Sequence, residues 1–147
     1  MRVTHKPTEL LFIASLAELS GVQFYEVDSV WNEVKPFVEK ALQYNPGNFN
    51  SDDILRFIKN RDMQLWIISD GNIIGAGVTQ IISYPRKKIC LILLLSGNDF
   101  ESWKHLLKDL IPWAKSNQCS ALELQGRPGW ERKLKWEKTA IIMRKEL

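Results

Sequence analysis

The segment Ile89-Cys90-Leu91-Ile92-Leu93-Leu94-Leu95 carries no polar residue, and Ser96-Gly97-Asn98-Asp99 follows it before Phe100. A strand in a half-exposed sheet alternates apolar and polar residues, whereas a run that is apolar throughout has no face to give to water. Such a strand has to lie centrally, in a sheet covered on both sides. Beyond it, Phe100, Trp103, Leu106, Leu107, Leu110, Ile111 and Ala114 recur at helical spacing. Pro112 is expected to kink the final turn of that helix. Ser120–Gln125 then reads as a short strand. A helix precedes it, so it re-enters the sheet by a crossover and pairs parallel to the apolar strand.

The remaining segments build outward from this centre. Val22–Val27 reads as a strand, and Asp28 as the N-cap of a helix carrying Val30, Val34, Phe37, Val38, Ala41 and Leu42, bent at Pro36. Asn45-Pro46-Gly47-Asn48 breaks the chain. A short helix starts near Asn50 or Ser51, with Asp52 and Asp53 in its first turn, where the helix dipole favours carboxylates. Met63–Ser69, Asp70-Gly71 and Ile73–Tyr84 form a hairpin signal, and Pro85–Lys88 is a polar, basic turn into the apolar strand. After the break at Gly126–Gly129, Trp130–Trp136 reads as a short helix and Thr139–Met143 as a closing strand. The fold class is α/β (α+β), a mixed central sheet in the order β-α-α-β-β-β-α-β-α-β. Residues 22–147 form the domain. Residues 1–21 are an amphipathic extension, with Leu10, Leu11, Ile13, Ala14 and Ala17 on one helical face.

The 147 residues suit one domain, and 45% hydrophobic with 25% charged content is ordinary for a globular chain. A net charge of +3 does not force a polyanionic partner. The basic tip and apolar middle of the first segment are interrupted by Glu9 and Glu18 and lack a small-residue cleavage pattern, so it does not read as a signal peptide. No run reaches the length of a membrane span. Cys90 and Cys119 stand far apart and read as reduced thiols, which points to a cytoplasmic setting. His5 and His105 are the only histidines, and the pattern offers no metal site. No nucleophile elbow, P-loop, zinc-protease or dinucleotide fingerprint occurs.

This element order, the central strand feeding an amphipathic helix and the tail GRPGWERKLKWEKTAIIMRKEL together resemble the GCN5-related N-acetyltransferase (GNAT) superfamily, over Val22 to Leu147. VWNEVKPFVEKAL, YPRKK and GRPGWER look like segments of small GNAT-like proteins of tailed phages. The resemblance implies transfer of an acyl group from acetyl-CoA to a small-molecule or protein amine. It implies a cofactor arm lying between two splayed strands on the backbone of Leu93, Leu94 and Leu95. It also implies a pyrophosphate on Ser96, Gly97, Asn98 and Asp99, where free N–H groups at a helix start attract an anion. For a phage-encoded protein the location is the host cytoplasm or the virion.

The loop departs from the family pattern. It has one glycine and no preceding Arg or Gln, and Asp99 and Glu101 put two carboxylates in the first helical turn. With Asn98 as N-cap, Glu101 falls at the third position and the pair resembles a capping box, so the helix would satisfy its own first donors. The tyrosine that the family uses as an acid is absent after the second splayed strand. Tyr84 is the one tyrosine near a strand end, and Glu123 is a candidate base; the alternatives are a surface aromatic and a solvated carboxylate. Arg127 is a candidate for a phosphate or carboxylate, and Trp130 for a cleft wall or a core plug. Trp31, Trp66, Trp103 and Trp113 fall on apolar periodic faces and are expected in the core. Arg127, Arg132, Lys133, Lys135 and Lys138 with Trp130 and Trp136 form a basic stretch that a nucleic acid could use. The competing reading is a catalytically inactive GNAT-fold binding or virion structural module, meeting a protein partner or a second copy through the leading helix or the basic tail.

Overall fold

The computed structural model describes residues 17–45 and 47–147. The chain forms β1 (Glu18–Val22), a 3-10 turn (Phe24–Glu26), α1 (Val27–Leu42), α2 (Ser51–Lys59), β2 (Gln64–Ser69), β3 (Ile73–Ser83) and β4 (Lys88–Gly97). It continues through α3 (Phe100–Trp103), a 3-10 segment (Lys104–Asp109), α4 (Leu110–Ser116), β5 (Ala121–Leu124) and α5 (Trp130–Leu134). The five strands form one sheet in the order β1-β2-β3-β4-β5. All neighbours are antiparallel except β4 and β5, which are parallel, as the crossover requires.

Every residue of β4 from Ile89 to Ser96 is buried. On one face of the sheet, Leu91, Leu93 and Leu94 pack with Val34 and Val38 of α1 and Ile54 and Ile58 of α2. On the other, Ile92 and Leu95 pack with Trp103, Leu106, Leu107, Leu110 and Trp130. The unbroken apolar run thus supplies two core layers at once. Burial also pushes the Cys90 thiol up to about 11, since a thiolate there would be stripped of water. Among the described residues, no helix is long and apolar enough to cross a membrane.

Five sequence expectations are corrected. The first strand starts at Glu18, so Glu18–Gly21 belong to the sheet, and the chain is already helical at Val27. Asp28 is therefore not a cap; it sits in the first turn of α1 and meets Lys59 at 2.8 Å. The helix expected over Leu10–Ala17 lies outside the described residues except for Ala17, which packs in the second core layer.

The single helix expected from Phe100 to Ala114 is three pieces. Pro112 is the reason at one joint. It has no N–H to continue the ladder, so it sits in the first turn of a new helix, where none is needed. It does not kink a last turn.

No closing strand forms at Thr139–Met143. The chain leaves α5 at Lys135 in the left-handed region (φ 59°) and runs on without regular structure. The order among the described residues is accordingly β-α-α-β-β-β-α-β-α.

Candidate functional site

β5 is much shorter than β4, and their pairing is brief. It runs from Ile89 opposite Ala121 to Ile92 opposite Leu124 and closes with Gln125 N–H donating to Ile92 O at 3.2 Å. Among the described residues, Leu93–Gly97 continue without a partner strand on that side. At the same level the register with β3 slips: Thr79 faces Ile92 and Val78 faces Leu94, so Leu93 is an extra residue, a bulge. The bulge explains why Leu93 and Leu94 fall on one face of the sheet. Beyond it the ladder parity is fixed by Asn98 N–H donating to Ile74 O at 2.8 Å. Leu94 and Ser96 share that parity and turn their backbone groups to β3, so those of Leu95 and Gly97 face the strand-free side. The result is a slot in the sheet's pairing: main-chain groups of Leu95 and Gly97 that no described strand meets, in residues that are themselves buried or half-buried.

The slot's upper lip is Gly97. A β-carbon there would lie 2.8 Å from Gly75 Cα, Ile74 O and Trp103 Cζ2, so no other residue fits without displacement. The following loop does not form the capping box. Asp99, not Asn98, is the N-cap, in the left-handed region (φ 57°), and its side chain accepts no cap bond. The Asp99 carbonyl accepts from Ser102 N–H at 3.0 Å and Ser102 Oγ at 2.8 Å. The Asn98 carbonyl accepts from the Trp103 indole at 2.7 Å. Glu101 turns outward to Lys104 Nζ at 2.7 Å, and that bond holds its carboxyl below the usual range.

Past β5, the segment Gly126–Trp130 closes the other side. Trp130 is buried against Phe100, with ring centroids 4.8 Å apart. Arg127 reaches two rings: its Cζ is 4.3 Å from the ring centre of Tyr44, just beyond α1, and 5.3 Å from that of Trp130. A cation over an aromatic face is held by the ring's quadrupole, so Arg127 links the α1 side of the mouth to the α5 side.

No family model matches the sequence, and no curated protein does. Solved structures do. The chain is similar to an aminoglycoside acetyltransferase from an uncultured soil metagenomic sample, crystallised with sisomicin, at 11% identity over 92% of this chain and 99% of that one, with a TM-score of 0.66. It is similar to a ribosomal-protein-alanine N-acetyltransferase from Brucella melitensis biovar Abortus at 12% identity, over 88% and 99% of the two chains, with a TM-score of 0.59. A Trypanosoma brucei acetyltransferase matches at 15% identity over 89% and 99%, with a TM-score of 0.55. The fold is the GNAT acetyltransferase fold.

Within this GNAT fold the two candidate catalytic residues are not brought together. Tyr84 lies in the turn before β4, with its N–H donating to Lys87 O at 2.8 Å. Gly97 is at the other end of that strand, roughly 30 Å away at about 3.3 Å per residue, so Tyr84 does not reach the slot. Glu123 faces Leu91 on β5, one register position before pairing ends, and is half-buried.

The fit to acetyl-CoA divides by part. The free main-chain edge at Leu95 and Gly97 suits the amides of a pantetheine arm. The loop Ser96–Asp99 does not suit a pyrophosphate: the Asn98 N–H is already used, and Asp99 and Glu101 add negative charge. Cationic groups converge instead in a feature that sequence spacing did not reveal. Between α3 and α5 lies an open cleft of about 520 Å³, lined by Glu101, Lys104, Pro128, Gly129, Arg132 and Lys133. Lys104 Nζ also donates to Lys133 O at 3.2 Å, tying the two walls together. Three cations there oppose one carboxylate. A second cavity of about 500 Å³, between Gly21, Arg61, Gln64, Trp66 and Trp113, lies on the β1–β2 side of the sheet.

Proposed function

We propose that the chain is an acyl-CoA-dependent N-acetyltransferase whose cofactor arm lies along the free edge of β4 and whose cofactor phosphates are met by the cleft of Lys104, Arg132 and Lys133. The observation that carries this reading is the end of β4–β5 pairing at Ile92, which leaves Leu95 and Gly97 with main-chain groups that no described strand pairs. Acetyl-CoA bound there would supply a thioester-activated acyl group. The chain's part is to orient it: backbone N–H and C=O groups bind amides, and the buried leucines beneath keep that edge rigid. The similar structures include enzymes named for acting on an aminoglycoside and on a ribosomal-protein alanine, which supports an amine as acceptor. The likeness of VWNEVKPFVEKAL, YPRKK and GRPGWER to phage proteins supports a phage-encoded protein acting in the host cytoplasm or the virion.

Calorimetry with acetyl-CoA tests this. Saturable binding is expected, weakened about tenfold or more by Arg132→Glu with Lys133→Glu and reduced by salt, since charge-assisted phosphate contacts are lost. Pantetheine, which lacks the phosphates, should be indifferent to the same pair. Gly97→Val is no test of cofactor binding, because that side chain collides with Trp103 and the backbone of β3.

The loop geometry and the Arg127 bridge favour a second reading, a non-catalytic GNAT-fold binding module. Absence of acetyl-CoA binding at millimolar concentration selects it.

A further inference from the structure

The cavity on the β1–β2 side of the sheet has no part in the acetyl-transfer reading. At about 500 Å³ it is of a size that holds a small molecule. β1 ends at Val22, opposite Leu65, and the chain turns off into the 3-10 turn. Gln64, the first residue of β2, is thereby left past the end of β1, and it lines the cavity.

The aromatic walls are fixed. The Trp66 ring lies over Gly21, where a β-carbon would come within 3.2 Å of it, and packs edge-on against Trp113 with centroids 5.2 Å apart. The Trp66 N–H goes to Thr79 Oγ1, and the Thr79 hydroxyl donates in turn to Gln64 Oε1. That relay sets which way the Gln64 amide points and leaves its two N–H groups without an acceptor among the described residues. Among those residues no side-chain nitrogen is both sealed off and unpartnered, so these donors open to the space that Gln64 lines.

Arg61 is the one charged residue among those lining the cavity. It follows α2 in the left-handed region (φ 66°), with its N–H donating to Ile58 O at 3.0 Å, a helix-ending position that glycine fills most easily. Its Cζ is 4.5 Å from the ring centre of Phe24, and no described carboxylate is in salt-bridge contact with it. A cage of aromatic rings alone suits an ammonium group. A guanidinium and amide donors set into the cage reverse that preference, because they bind a carboxylate.

We infer that this cavity is a binding site for a small aromatic carboxylate, its ring held among Phe24, Trp66 and Trp113 and its carboxylate met by Arg61 and Gln64 Nε2. The inference is independent of acyl-CoA binding, since the cavity shares no lining residue with the α3–α5 cleft or with the unpaired end of β4.

Calorimetry on the full chain, with indole-3-acetate as the probe, tests this. Saturable sub-millimolar binding is expected. Indole-3-acetamide, which keeps the shape and lacks the charge, should bind about tenfold more weakly or worse. Arg61→Gly suits the left-handed backbone, so the circular dichroism should be unchanged. It should weaken the acid by about tenfold or more and leave the amide as it was. Absence of acid binding at millimolar concentration overturns the inference. So does equal affinity for acid and amide, or acid binding that survives Arg61→Gly. Choline bound in preference to the acid overturns it as well, since the cavity would then be a cage for cations.

Discussion

The indole N–H of Trp103 donates to the Asn98 carbonyl at 2.7 Å, and the same ring stands 2.8 Å from where a β-carbon on Gly97 would be. One side chain therefore ties down the loop after β4 and demands a glycine at its start. Gly97→Ala would press on Gly75 Cα and Ile74 O as well, both backbone atoms that cannot swing aside. Overpacking of this kind costs about 1–3 kcal/mol. A lowered urea midpoint is expected; a midpoint equal to that of the parent would show that the approach is not tight.

Thr79 meets two residues of β2 through one hydroxyl. Its Oγ1 accepts from Trp66 Nε1 at 2.9 Å and donates to Gln64 Oε1 at 2.9 Å, and the residue is buried. Trp66 also packs edge-on against Trp113, with centroids 5.2 Å apart. Thr79→Val keeps the shape and removes both bonds. It should cost about 1–3 kcal/mol, the scale for leaving buried polar partners unmet, and should alter tryptophan fluorescence. Thr79→Ser should restore most of the stability.

At the start of α2, Asn50 Oδ1 accepts from Asp53 N–H at 2.8 Å and Asp53 Oδ2 accepts from Asn50 N–H at 3.0 Å, a reciprocal cap. Asn50→Ala should cost about 1 kcal/mol at neutral pH. The Asn50 N–H, with the Arg56 side chain and charge adding to it, holds the Asp53 carboxyl below its ordinary 3.8. A depressed folded value means that the carboxylate's stabilisation is present above the unfolded value and is lost as pH falls below 3.8 through the folded one. Asp53→Asn should therefore flatten the acid limb of the melting temperature against pH. An identical acid limb would exclude this contribution.

The fold was largely legible because its strongest determinant is local. Ile89–Leu95 cannot face water on either side, and the helical stripe after it forces a parallel return strand; both are observed. The Asp-Gly hairpin and the Asn50 start of α2 are likewise written in adjacent residues. What spacing misjudged depends on contacts from elsewhere. Asn98 and Glu101 have the spacing of a capping box, but the Asn98 N–H is given to Ile74 O on β3, and Lys104 takes the Glu101 carboxylate.

Sequence by itself therefore determined the central strand, the mixed sheet and the two-sided core, because hydrophobic periodicity states which faces must leave water. Only the tertiary structure decided the site. It set where β5 stops alongside β4, how a bulge at Leu93 turns the next backbone groups, and that Lys104 meets Arg132 and Lys133 across a cleft. It also left Ile141–Met143 exposed and without regular structure, since a strand-forming sequence becomes a strand only when it pairs with an edge.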